Sequence, residues 1–438
     1  MLVEFSVSNY RSIGDEQILS LVPSEQQEYL NNILEQGTYK ALNALGIYGN
    51  NASGKSNVLN AIELLDKLLY LSARSNSTTQ LPYQPFLLRE GYELKPTKLE
   101  MAFILDENRY RFGLEYNKNE IVREWLYCKK ASLMEVMLFE READIIEVSS
   151  EYNGSPELIN AAIEATRDNA LFISTCDMLN IAGAKSIFKW FDKLVSINGI
   201  ETEREEITTV HLWENKEYRQ KIKEYLMFLN LDIHDLDILI EDIDVSKLQN
   251  LLGHFDKKMR NKLLKEFQGT QGFQTMTVHQ TYDEQGSLLP HQKHWNLDEH
   301  ESEGTKKAFH LSGPLIRTLS KGGILVIDEI EAKMHPMMTI NSINLFLNKA
   351  TNPYGAQIIF ATHDTNLLTY CPLRRDQINF VEKNNWEATE IYALSDFSYF
   401  NETSKHLDIN KEKSYFEGRY GAIPVLDSLK EKVEKWYG

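Results

Sequence analysis

The stretch Gly49-Asn50-Asn51-Ala52-Ser53-Gly54-Lys55-Ser56 constrains this chain more than any other. It fits G-x-x-x-x-G-K-[S/T], in which glycines let the backbone turn until its N–H groups face an anion. In that pattern Lys55 reaches the β- and γ-phosphates of a nucleotide, and the Ser56 hydroxyl ligates Mg2+. The flanks agree with it. Ala44 to Tyr48 is a short apolar run suited to a buried strand, and Val58, Ile62, Leu65 and Leu69 follow at helical spacing. The phosphates would then sit at a helix N-terminus, where unpaired N–H groups and the helix dipole favour negative charge. The bland alternative is a glycine turn between strand and helix, and the full eight-residue match weighs against it.

The 438 residues, 42% hydrophobic and 25% charged, have the length and balance of a folded protein with about three domains' worth of chain. No run of about 18 apolar residues occurs, so no membrane span is expected. The segment Met1 to Phe5 lacks the basic and apolar regions of a secretory leader. Three cysteines, Cys128, Cys176 and Cys371, lie far apart and match no metal or disulfide spacing. A cytoplasmic, reduced setting is the expectation. The formal charge of −17 gives no support to nucleic-acid binding, which leans on basic contacts with phosphates. An acidic surface would also suit a basic protein partner.

Val3, Phe5 and Val7 alternate with polar residues as a half-buried strand, and Ile18 to Leu21 can return beside it. Residues 24–40 and 72–80 read as polar loops. From about 97 to 141, short strands separated by turn residues predict an antiparallel meander. Residues 150–270 change character, with helical spacing over Tyr218 to Leu229 and again over Leu248 to Phe267. These runs are too short for a long coiled coil. A β pattern returns at Phe273–Tyr282. The polar stretch 287–300, with His291, His294 and His300, reads as a solvated loop, because nothing there completes a closed metal site.

Three further blocks follow. Ile324-Leu325-Val326-Ile327-Asp328-Glu329 is an apolar strand ending in two acids: Asp328 can support the Mg2+ shell, and Glu329 can polarise an attacking water. Ile358 to Asp364 is a second apolar strand, ending in His363, which can hydrogen-bond a γ-phosphate or the water. Before them, Glu301-Ser302-Glu303-Gly304-Thr305 opens an apolar helical run. There Ser302 either caps the helix or helps its N-terminus hold an anion.

Taken in this order, the P-loop, S-x-G-T, I-x-V-I-D-E and A-T-H-D resemble the ABC-type ATPase heads of the SMC/Rad50 class. Lys55 and Asp328 lie 273 residues apart, which matches that class's long insertion between two lobes. Asn9-Tyr10-Arg11-Ser12 resembles its N-[F/Y]-R-S block, in which the arginine approaches the nucleotide. Within the class the chain is most similar to the prokaryotic AAA-domain ATP-binding proteins of the RloA, AriA and abortive-infection type. Matching blocks are Glu301–Thr305, Asp328 through Pro336, Ala361–Asp364, Asp376 through Lys383 and Tyr415 through Pro424.

The resemblance implies an α/β fold: an ABC-type P-loop ATPase head with an antiparallel β lobe and a helical insertion. The expected segments are 1–145, 146–270 and 271–438. It implies an Mg2+-dependent ATPase that dimerises around ATP and regulates a toxic effector, a nuclease or toxin encoded nearby, in antiphage defence. Nucleotide contacts would come from Arg11, Gly49, Asn50, Asn51, Ala52, Ser53, Gly54, Lys55, Ser56 and Asn57. Ser56 and Asp328 would hold the metal, Glu329 would be the general base, Lys55 would neutralise phosphate charge, and His363 would be the switch histidine. Ser302 and Gly304 would cap ATP held by a second subunit of a homodimer or larger homo-oligomer. Gln84 is the candidate Q-loop glutamine, with a proline-flanked surface turn as the other reading. The block Glu301–Thr305 departs from L-S-G-G-Q, with Glu301, Glu303 and Thr305 replacing Leu, Gly and Gln. Arg419, between Gly418 and Gly421, belongs either to a structural turn or to a partner or nucleotide contact. The alternative function is a repair or chromosome-maintenance ATPase acting directly on DNA. An autonomous nuclease with a Toprim domain is disfavoured, since 75 residues follow His363.

Overall fold

A computed structural model describes residues 1–72, 74–131, 133–231, 233–242, 271–397 and 410–423. The chain divides into two units. The first is Met1–Ile200 with Arg317–Ala332 and Pro336–Gly438, and the second is Glu201–Ile316 with Lys333–His335. These units differ from the three segments expected with boundaries at 145 and 270. The helical run expected over Leu248 to Phe267 lies outside the described residues.

From the N-terminus come β1 (Leu2–Ser8), β2 (Gln17–Ser20), β3 (Ile33–Gln36), β4 (Tyr39–Leu42), β5 (Ala44–Gly49) and helix α1 (Lys55–Ser72). The strands β6 (Thr97–Leu105), β7 (Asn108–Tyr116), β8 (Ile121–Lys130), β9 (Glu135–Glu142) and β10 (Ile145–Val148) follow. Helices α2 (Pro156–Ala165), α3 (Phe172–Met178) and α4 (Ala182–Phe191) then lead to β11 (Leu194–Asn198). The second unit holds α5 (Glu203–Trp213), α6 (Lys216–Phe228), β12 (Asp235–Asp242), β13 (Gln271–Tyr282), β14 (Leu288–Asn296), a short α7 (Leu297–His300) and the start of α8 (Glu303–Lys321). The chain returns to the first unit with β15 (Ile324–Asp328), α9 (Pro336–Leu347), β16 (Gln357–Ala361), α10 (Asn366–Tyr370), β17 (Ile378–Lys383), β18 (Thr389–Ala393) and α11 (Lys411–Phe416).

Two sheets build the first unit. One is antiparallel, in the order β10-β9-β8-β7-β6-β1-β2, and contains the expected meander. The other runs β11-β15-β16-β5-β17-β18, parallel throughout except for β18. Helix α1 packs on β1 of the first sheet and on β5, β11, β15 and β16 of the second. It can face both because apolar residues surround it: Val58, Leu59, Ile62, Leu65, Leu68 and Leu69 are all buried. All six residues of β5 are buried, as its apolar run requires for a central parallel strand covered on both faces.

Three local expectations are corrected. Residues 33–42 form the hairpin β3–β4, which begins inside the stretch 24–40 read as loop. The stretch 287–300 is mostly strand β14, paired with β13, because cross-strand hydrogen bonding satisfies its backbone despite the exposed polar side chains. The region 150–270 is not purely helical, since β11 joins the parallel sheet and β12 pairs with β13. No helix among the described residues is long and apolar enough to cross a membrane.

Candidate functional site

Parallel pairing explains how motifs distant in sequence meet. β15, β16 and β5 are adjacent and point the same way, with Ile327 beside Phe360 and Ala361 beside Ile47. Their C-terminal ends therefore share one edge of the sheet, where open α/β sheets place their ligands. Gly49 ends β5, Asp328 ends β15, and Thr362-His363 follow β16. A cavity of about 410 Å3 opens there, lined by Asn51, Ala52, Ser53, Gly54, Lys55, Ser56, Asn57, Glu329 and His363.

The loop backbone is held from several sides. The Lys55 ammonium donates to the carbonyls of Gly49 and Asn50 at 2.8 and 2.9 Å. A Cβ on Gly49 would lie 2.2 Å from the Val381 carbonyl oxygen, so no side chain fits there. Gly54, at φ +113°, would place a Cβ 2.1 Å from Thr389 Oγ1. That hydroxyl donates to the Ser53 carbonyl at 2.8 Å and lies 2.8 Å from Ser12 Oγ. The Asn57 amide also donates to Ser12 Oγ, at 2.7 Å.

The N-terminal block and Gln84 converge on the same rim. Arg11 Nε donates to Gln84 Oε1 at 2.6 Å, its backbone N–H donates to the Gln84 carbonyl at 2.7 Å, and Nη1 reaches Asn57 Oδ1 at 3.4 Å. Arg11, at φ +50°, carries a backbone conformation that ordinary side chains rarely adopt. Gln84 is exposed in an irregular stretch, where it orients Arg11.

Charge at the site is arranged by burial. Desolvation pushes the Lys55 ammonium down to about 8, partly offset by Asp328, Glu331 and Glu329. Desolvation, and then the Lys55 charge, lowers the His363 imidazole from its ordinary value, which favours its neutral form. Asp328 Oδ1 is buried and has no hydrogen-bond partner in the protein. An acceptor-only oxygen left so is suited to a hard cation, and the nearby Ser56 hydroxyl offers a second oxygen donor. Glu329 sits at φ +48°, a strained backbone of the kind that collects at functional sites. Just before it, the Asp328 carbonyl accepts from Gly199 N–H at 2.7 Å.

Two residues that the motifs do not single out position these groups. Glu331 accepts from Thr362 Oγ1 at 2.7 Å and from the His363 N–H at 2.6 Å, fixing the turn that presents His363. Thr389 clamps the P-loop from the opposite sheet edge. Glu331 stands in the block Asp328 through Pro336, whereas nothing local in the sequence marks Thr389.

The family described as "AAA domain, putative AbiEii toxin, Type IV TA system" matches residues 45–166 and 204–369. The chain belongs to this family. It therefore carries an AAA-type ATPase domain, and the matched segments include the P-loop, the Asp328-Glu329 strand end and His363. A curated relative, "Uncharacterized protein SAB1265c" of Staphylococcus aureus (strain bovine RF122 / ET3-1), is 34% identical over 68 residues, 15% of this chain. The chain matches about a quarter, 26%, of that relative's length. Two solved structures of the recombination mediator protein RecF in the RecFOR pathway also match. The one with ATPrS has 15% identity, covering 90% of this chain and 98% of that one at a TM-score of 0.31. The one with ATP has 16% identity, covering 83% and 92% at a TM-score of 0.29.

The block Glu301–Thr305 lies in the second unit. Ser302 Oγ accepts from the Thr305 N–H at 3.2 Å and lies 2.9 Å from Thr305 Oγ1, so it caps α8 as its spacing predicts. A Cβ on Gly304 would come within 2.9 Å of the Lys333 carbonyl. Glu303 pairs with both Lys306 and Lys333 at 3.0 Å. In the first unit, the block Tyr415–Ile423 docks on the sheet's last strands. Tyr415 and Tyr420 stack on Phe380, Tyr392 Oη donates to the Tyr420 carbonyl, and Ala422 N–H donates to Glu382. The Asn50 amide donates to the Ile423 carbonyl at 2.9 Å, which joins this tail to the P-loop. Arg419 pairs with Glu417 at 2.7 Å on the surface.

Proposed function

We propose that this chain binds ATP with Mg2+ in the first-unit cavity, hydrolyses it, and uses ATP-dependent dimerisation to control a toxic effector in antiphage defence. One observation carries the reading: the P-loop, Glu329 and His363 line a single cavity beside the strand end that bears Asp328. Lys55 exchanges its two loop carbonyls for the β- and γ-phosphates. Ser56 and Asp328 hold Mg2+, which when bound neutralises charge across those phosphates. Glu329 accepts the proton of the attacking water, and neutral His363 hydrogen-bonds at the γ-phosphate. Arg11, with Asn57 and Gln84, frames the nucleotide rim, and Gly49 to Gly54 turn their N–H groups inward.

Ser302 and Gly304 complete the site of a second subunit. ATP then favours the closed dimer and hydrolysis releases it, a population shift set by differential binding. The family's toxin–antitoxin description supports the effector part of this reading. Light scattering with ATP, together with phosphate release, tests it. Glu329→Gln is expected to accumulate an ATP-bound dimer with turnover nearly abolished, and Lys55→Ala to remain monomeric and nucleotide-free. Monomers in both variants would refute dimerisation, and absence of phosphate release by the wild type would refute hydrolysis. Salt-dependent DNA binding by the wild type would transfer the reading to a DNA-directed ATPase.

A further inference from the structure

The second unit contains a cluster that the ATPase reading does not use. Glu206 on α5, Asp298 on α7 and His310 on α8 each offer a ligand atom, and these atoms all lie within 4.8 Å of one another. His310 is 3% exposed, and its Nε2 has no hydrogen-bond partner. Nε2 lies 3.9 Å from Glu206 Oε2, too far for a hydrogen bond. The other ring nitrogen, Nδ1, lies 3.2 Å from Thr202 Oγ1, and Thr275 Oγ1 donates to Glu206 Oε1 at 2.9 Å.

We propose that Glu206, Asp298 and His310 bind a borderline divalent transition-metal ion of the Zn2+ type. With Nδ1–H donating to Thr202, Nε2 presents a lone pair toward two carboxylates. Such a set of acceptors invites a cation, and the buried Nε2 that lacks a hydrogen-bond partner is the atom placed to take one. Bonds of about 2.0–2.2 Å allow two donors on one ion to stand at most about 4.4 Å apart. The Glu206–His310 pair already meets that limit, and the exposed Asp298 closes by a small side-chain rotation. Thr202 and Thr275 are the outer partners that fix a ligating imidazole and carboxylate. One imidazole with two carboxylates suits Zn2+ or Mn2+ better than Mg2+. An ion there ties α5 and α7 to α8, the helix that Ser302 caps. The site is separate from the ATP cavity, so its test does not depend on nucleotide.

The full-length protein, stripped with chelator and free of nucleotide, is titrated with Co2+ as a visible-absorbing probe and then with Zn2+. One equivalent of Co2+ should give a ligand-field spectrum that Zn2+ displaces and millimolar Mg2+ does not. Asp298→Asn, at an exposed position, and His310→Gln should each weaken binding at least about tenfold. Zn2+ should raise the melting temperature of the wild type and leave that of Asp298→Asn unmoved. The proposal is overturned if no spectrum develops, or if Asp298→Asn binds Co2+ as the wild type does. The latter result would place the ion away from this cluster. Should His310→Gln fail to fold, the Asp298→Asn titration decides alone.

Discussion

Raising the pH from 7 to 9 tests what burial does to Lys55. In the nucleotide-free protein its ammonium is shielded from water, hydrogen-bonded to the carbonyls of Gly49 and Asn50, and held at about 8. Phosphates arriving in contact add negative charge and raise that value, so nucleotide binds best to the protonated form. The sign follows. Below pH 8 the group is charged both before and after binding, and affinity is flat. Above pH 8 the free protein must first take up a proton, and affinity falls until the bound form itself titrates. With a free value near 8, about nine-tenths of Lys55 is charged at pH 7 and about one-tenth at pH 9. ATP affinity should therefore drop about tenfold across that interval, roughly 1.4 kcal/mol. Calorimetry at pH 8 in two buffers of different ionisation enthalpy should show uptake of about half a proton per ATP. Lys55→Arg, which stays charged, should abolish that uptake whatever its effect on affinity. Unchanged affinity from pH 7 to 9 without proton uptake would refute the claim that Lys55 meets the phosphates from a desolvated position.

Other perturbations separate positioning from binding. Glu331→Ala removes the carboxylate that accepts from Thr362 and the His363 backbone, bonds of roughly 1.5–3 kcal/mol each when charged. It should lower kcat about tenfold to a hundredfold while moving KM little, read by steady-state phosphate release. Gly54→Ala forces a Cβ against Thr389 at φ +113° and should destabilise the first unit by about 1–3 kcal/mol or more, seen as a lower urea midpoint. Arg11→Ala removes an exposed side chain, so the melting temperature should hold while ATP affinity falls severalfold in a fluorescent-nucleotide titration.

Elements whose signal is local could be read directly from residues. The P-loop, its buried strand, α1, the antiparallel meander and the two acid- and histidine-terminated strands all follow from spacing and apolar pattern within a few residues. What escaped depends on partners far away in sequence. Residues 24–28 look like free loop, yet the fully buried Arg374 donates to the carbonyls of Ser24, Gln26 and Glu28. The polar run 288–296 carries no strand-like alternation of burial, and pairing with β13 supplies its order. β11 is five residues inside a helical region, and its strand character comes from the open edge of β15. His291, His294 and His300 cluster in sequence without completing a metal site. The grouping around buried His310 instead draws on Glu206 and Asp298, which stand 104 and 12 residues before it.

The same contrast changes what the P-loop is. By motif it is a self-sufficient cradle, because its glycines and lysine are contiguous. In the fold its conformation is shared with remote residues: Thr389 on the last strand, itself bonded to Ser12, and Ile423 in the docked tail. Hydrogen bonds that hold one loop conformation are lost, at about 0.5–1.5 kcal/mol each, when it takes another. If phosphates draw Lys55 away from Gly49 and Asn50, the loop carbonyls lose partners, while Thr389 still holds the Ser53 carbonyl and Ile423 still holds Asn50. Rearrangement around nucleotide is thus opposed at the loop's two anchors, the last strand and the tail. A ligand that moves Asn50 is expected to strain its bond to Ile423, the contact that joins the loop to the tail docked on β17 and β18.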